Sequence, residues 1–201
     1  MAESPTSRDA RADRLDAPEF LIAPGRHHAP ASSHDAAGRS WAGSCPERPR
    51  PGSPGGLQRN RDVVLAYIDA MPDSATDYRP TPGVRTFAGQ FDHIVSTNLE
   101  VAAVALRGLK AAPALGDSAV YLHNKAALHR YAAATYDYFL KSLRQAKPEQ
   151  LQRPVAMYGQ PPQPASRLAA LSFEHSVWTL GQLVPYLRLN GVTPPEYKMP
   201  F

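Results

Sequence analysis

The chain has 201 residues, a formal charge of +4, a pI near 9.3 and one cysteine. A single cysteine excludes an internal disulfide framework, and the Lys and Arg residues are dispersed along the chain, so no nucleic-acid footprint is expected. No run approaches the roughly 20 apolar residues of a membrane span, and one cytoplasmic domain with a tail is the expectation for this length.

Residues 1–59 hold eight of the 21 prolines and no lysine, with scattered Ser, Gly, Ala and His and little apolar periodicity. Such a segment cannot bury enough apolar surface to offset its ordering entropy, so it is expected to be disordered, with a folded domain over 60–201. Cys45 lies within it, and PEFLIAPG is too short and too acidic for the apolar core of a signal peptide. Pro, Arg, Gly, Ala and Ser without Lys is also what a wrong reading frame of a GC-rich gene yields, so a disordered tail and an out-of-frame stretch are both open readings.

RDVVLAYIDAMP places Val64, Leu65, Ile68 and Met71 at helical spacing with Pro72 as the stop, which predicts a short first helix starting near Arg61. After a proline-rich loop, Thr86 is the expected N-cap of a second helix running from Phe87 to Leu106 and ending before Gly108. Phe87, Phe91, Ile94, Val95, Leu99, Ala102 and Leu106 form its apolar stripe. His93 falls nearly opposite the centre of that stripe, which predicts an exposed or rim residue.

A third helix is expected over 124–146, capped by Asn124, with Ala127, Leu128, Tyr131, Tyr138, Phe139 and Leu143 on its buried side. His123 and His129 are expected at the surface there. KPEQLQRPVAMYGQPPQP reads as a long irregular connection, and a fourth helix runs from Ala165 to Asn190, with Gly191 at the position just past its end. On that helix His175, Thr179, Gln182 and Tyr186 share one line at i, i+4, i+7 and i+11 and make a polar seam. Leu171 and Trp178 border it on one side and Leu183 and Leu187 on the other, while Arg167, Glu174 and Arg188 lie on a separate charged face. Pro185, inside the pattern, predicts a kink one turn after Thr179. Four amphipathic helices with no strand pattern predict an all-α, antiparallel four-helix bundle.

Three stretches, MPDSATDYRPTPGVRTFAGQFDHIV, YDYFLKSL and EHSVWTLGQLVPYLRLNGVTPPEY, resemble the DinB/YfiT-like four-helix bundle proteins. The resemblance covers the chain from about Val63 onward. It implies one divalent metal, Zn, Ni or Fe, held by one histidine of the second helix and two of the fourth at i and i+4. Carried over, those positions are His93, His175 and Thr179, and the threonine hydroxyl is a poor ligand for these metals. Trp178 and Leu180 stand where the family has His and Arg. The resemblance also implies a first helix of about 20 residues, half of which the pattern here lacks.

Two functions follow. One is a metal-dependent transferase or hydrolase that activates a small-molecule thiol or water toward an electrophile, with Thr179, Gln182 or Tyr186 positioning the substrate. The other is a non-catalytic bundle that binds a small molecule or acts as an interaction module, paired as a homodimer through apolar surface left by the incomplete first helix.

Overall fold

The computed structural model describes residues 52–196. The expectations for Cys45, for PEFLIAPG and for most of the 1–59 segment therefore fall outside the described residues. Helix α1 spans Pro54–Ala70 and starts seven residues before Arg61, where the periodicity placed it. The Ser53 side chain accepts a hydrogen bond from the Gly56 amide at 3.2 Å, and Pro54 occupies the first turn, where its missing N–H costs nothing. This start signal overrides the Gly55–Gly56 pair that reads as a break. Leu57 and Asn60 are buried, so residues 54–59, expected within the disordered segment, are part of helix α1. At 17 residues, α1 is not the half-length wall that the sequence suggested.

After a one-turn 3-10 segment at Asp73–Ala75, helix α2 spans Phe87–Glu100, capped by Thr86, whose hydroxyl accepts from the Gly89 amide at 3.0 Å. The predicted continuation to Leu106 is present, but Val101–Leu106 is wound as a π-helix and Gly108, at φ +70°, ends it. Every residue of the predicted stripe from Phe87 to Leu106 is buried. The short helix α3, Ser118–Tyr121, and helix α4, Lys125–Gln145, follow, the latter capped by Asn124. Tyr136, passed over in the sequence reading, is wholly buried on α4, whereas Ala127, Tyr138 and Leu143 lie at the core's edge.

The connection read as irregular contains structure. Helix α5, Pro148–Gln152, leads into a two-stranded hairpin in which β1, Pro154–Val155, pairs antiparallel with β2, Gln163–Pro164. Such two-residue strands are below the length at which alternation can be read. Helix α6, Ala165–Leu189, continues through Pro185 and ends in the expected way: Gly191 at φ +72°, its amide donating to Arg188 O and that of Val192 to Leu187 O, each at 3.0 Å.

Helices α1, α2, α4 and α6 form the bundle, α4 packing on α1 and α2, and α6 packing chiefly on α2. None of the helices among the described residues is long and apolar enough to cross a membrane.

Candidate functional site

The polar seam of α6 lies at the edge of the core. Leu183 and Leu187 are buried on one side of it, but Trp178, expected in the apolar arc, is 72% exposed, and Leu171 is exposed as well. Helix α2, with the residue before its cap, runs antiparallel along α6 and meets it in four polar pairs. The Tyr186 hydroxyl donates to Arg85 O at 2.7 Å, Gln90 Nε2 donates to Gln182 Oε1 at 3.4 Å, His175 Nε2 lies 3.0 Å from His93 Nε2, and the Ser172 hydroxyl donates to Asn98 Oδ1. The paired numbers fall on one side as they rise on the other, as antiparallel helices require.

At the last pair the seam enters the core. Asn98 Nδ2 also donates to Tyr136 Oη and to Ser176 Oγ, both at 3.1 Å, and Tyr136 Oη donates to Asn60 Oδ1 at 2.6 Å. One hydrogen-bonded network thus joins α1, α2, α4 and α6 through the bundle interior.

His93 and His175 are half-buried, with their rings edge to face at 4.6 Å between centroids. The rim position predicted for His93 is observed, and the rim is where the two helices bring the imidazoles together. Burial lowers the pKa of both below the ordinary value of 6.5, the positive charge of Arg85 lowers both further, and only Asp92 opposes this at His93. Both imidazoles are therefore neutral at pH 7.

A cleft of about 340 Å³ opens beside the pair. Its floor is His93, Thr97 and Val101 at i, i+4 and i+8 of the second helix and its π-helical extension, and Leu168, Leu171, Ser172 and His175 of α6. The two histidines share one end of this floor and Val101 and Leu168 the other. The hairpin forms the roof through Met157, Tyr158, Gln160 and Gln163. Tyr158 holds the left-handed conformation, φ 55°, beside Gly159 at φ 70°. The Arg153 guanidinium ties the hairpin's root to the π-helix by donating to Val104 O at 3.1 Å and Ala105 O at 2.9 Å.

Of the residues singled out in the sequence, His93 and His175 meet, whereas Thr179, Gln182 and Tyr186, expected to position a substrate, do not line this cleft. Thr179 and Tyr186 are buried, and Gln182 is spent on Gln90. The roof residues were missed. The one local signal was the Tyr-Gly pair between prolines, which marks a tight turn without indicating what it covers. His123 and His129 lie at the surface near Asp77 and Asp69, apart from the cleft.

The donors do not fit the metal that the resemblance implies. Among the described residues there is no group of three or more His, Cys, Asp or Glu side chains that could hold an ion. His175 Nδ1 is buried without a hydrogen-bond partner, whereas a metal-bound imidazole needs an acceptor for its second N–H. The 3.0 Å between the two Nε2 atoms is a hydrogen-bond distance.

Residues 57–183 match the family model described as the DinB superfamily. The crystal structure of a DinB-like protein from Bacillus subtilis is similar with a TM-score of 0.59 at 21% identity, over 74% of this chain and 98% of that one. A DinB-like protein from Bacillus cereus gives a TM-score of 0.57 at 19% identity, over 72% of this chain and 96% of its own. No curated protein matches the chain.

Proposed function

The chain belongs to the DinB superfamily, and on that bundle we propose that it binds a small, uncharged, largely apolar molecule in the cleft beside His93 and His175. The observation that carries this reading is the character of the cleft lining. Val101, Met157, Leu168 and Leu171 give it apolar walls, and among the described residues that line it none is a Lys, Arg, Asp or Glu. An ionic ligand entering it would lose its hydration with no charged side chain in the lining to pair with, whereas a neutral one gains from burial. The volume lies at the lower end of the range for small-molecule sites, which are mostly apolar with a few convergent polar groups. Here Gln160 and Gln163 are the groups to orient one polar head, since the Thr97 and Ser172 hydroxyls donate to His93 O and Asn98 Oδ1 and the two imidazoles bond to each other. Metal-dependent thiol transfer and hydrolysis are not part of this reading, because each needs an ion for which the donors are wrong.

Titration with the neutral fluorescent probe N-phenyl-1-naphthylamine tests it. Saturable one-to-one binding is expected, weakened at least about tenfold, or about 1.4 kcal/mol, by Leu171→Trp, which fills the cleft from its rim. Val63→Trp, in the separate apolar groove between α1 and α6, is expected to leave it unchanged. Binding that survives Leu171→Trp and is lost in Val63→Trp overturns the assignment, as does an absence of saturable binding.

A further inference from the structure

The buried, unpartnered Nδ1 of His175 also decides where the proton of the imidazole pair resides. The two Nε2 atoms are 3.0 Å apart, so one donates and the other accepts. If His93 donated, neutral His175 would carry its proton on Nδ1, burying an N–H with no acceptor. Buried orphan N–H groups are rarer and more costly than buried acceptors with a spare lone pair. We propose that His93 and His175 form a metal-free imidazole pair in which His175 Nε2–H donates to His93 Nε2, in place of the three-histidine metal centre of the family resemblance.

Holding an ion through both Nε2 atoms would impose the tautomer that the structure disfavours. His93, the acceptor, already carries its proton on Nδ1, but His175 would have to shift its own there and has nothing to receive it. The residue that would complete an ion's shell is also absent. Thr179 sits one turn beyond His175, is 2% exposed and offers only a neutral hydroxyl. Direct imidazole contact satisfies the facing nitrogens without an ion. The change from a metal centre to a hydrogen bond thus follows from two features of this chain: the Thr179 side chain and the buried, unpartnered His175 Nδ1.

The deciding experiment uses full-length wild-type protein labelled with ¹⁵N. Long-range ¹H–¹⁵N spectra of the imidazoles are recorded before and after one equivalent of zinc sulfate, with a parallel calorimetric zinc titration. His175 is expected as the Nε2–H tautomer and His93 as the Nδ1–H tautomer, both unchanged by zinc, with Thr179→His binding zinc at least about 100-fold more tightly than wild type, since even outer-shell partners are worth 10–100-fold. Both histidines in the Nδ1–H form, or stoichiometric wild-type zinc binding with shifts at both Nε2 atoms, overturns the proposal. If Thr179→His does not fold, the wild-type spectra decide alone. Neither readout involves the apolar probe, so failure here and failure of the ligand reading are separately visible.

Discussion

Asn98 on α2 donates to the hydroxyl of Tyr136 on α4 at 3.1 Å, and both side chains are wholly inaccessible to solvent. Tyr136 in turn donates to Asn60 Oδ1, while Ser172 and Ser176 donate to Asn98 Oδ1, so removing either side chain strands polar groups on two other helices. Tyr136→Phe should cost about 1–3 kcal/mol, the penalty for leaving buried partners unsatisfied. Asn98→Leu should cost at least as much, because it strands more groups. Urea unfolding of the two single variants and the double variant checks this, and the double should be less destabilised than the sum, since both changes break one shared network.

Stability should depend on pH through the histidine pair. Both folded-state pKa values are depressed, so the unfolded chain takes up protons near 6.5 that the folded chain resists. The unfolding free energy is therefore full above pH 6.5 and falls as pH drops through the folded pKa values. Melting temperatures between pH 7.5 and 5 should decline, and the decline should flatten in His93→Gln/His175→Gln. An unchanged slope in that variant would place the titrating groups elsewhere.

The existence of the four long helices, the Thr86 and Asn124 caps and the Gly191 stop were legible because each rests on local chemistry: apolar spacing, a Thr or Asn at an N-cap, a glycine free to take positive φ. His93 was harder. A helical wheel measures distance from one helix's own apolar stripe, and His93 is far from the stripe of α2 but adjacent to the rim of α6. Its role depends on a partner 82 positions away. The cleft was illegible for a related reason, since its roof is a two-residue ladder too short for periodicity, held by an arginine whose acceptors lie about 48 residues earlier. The seam residues were identified as polar, but which of them face the cleft depends on the packing of α2, and sequence spacing on α6 is silent on that.

The hairpin roof should loosen when Arg153 is removed. Its guanidinium serves two π-helix carbonyls, Val104 O and Ala105 O, and Gly108 leaves the space that the guanidinium occupies, a Cβ there falling 3.0 Å from Arg153 Nη1. Arg153→Ala should cost about 1 kcal/mol globally, because the group is largely exposed and such contacts are screened. The local effect should be larger, with faster amide exchange in residues 153–165. Arg153→Lys should rescue only part of it, since one ammonium cannot reproduce the planar fork.

Gly52 tests how early the fold begins. It lies before the Ser53 cap, and its φ of +75° is one that side chains with a Cβ rarely adopt. A Cβ there would fall 2.9 Å from Ala170 Cα and 3.2 Å from Ala170 Cβ, both on α6, so the backbone at the start of α1 packs directly against that helix. Relief would require moving backbone, because the nearest atom is not the end of a flexible side chain. Gly52→Ala should therefore destabilise by roughly 1–2 kcal/mol from the left-handed conformation alone, with the contact adding to it. Thermal unfolding of Gly52→Ala beside Gly83→Ala, a loop glycine with nothing within 4 Å of its Cβ position, separates the two cases. A large loss in the first and little change in the second would locate the domain's edge before Pro54. Equal, negligible effects would show that α1 begins later in solution, nearer the Arg61 start that apolar spacing predicts.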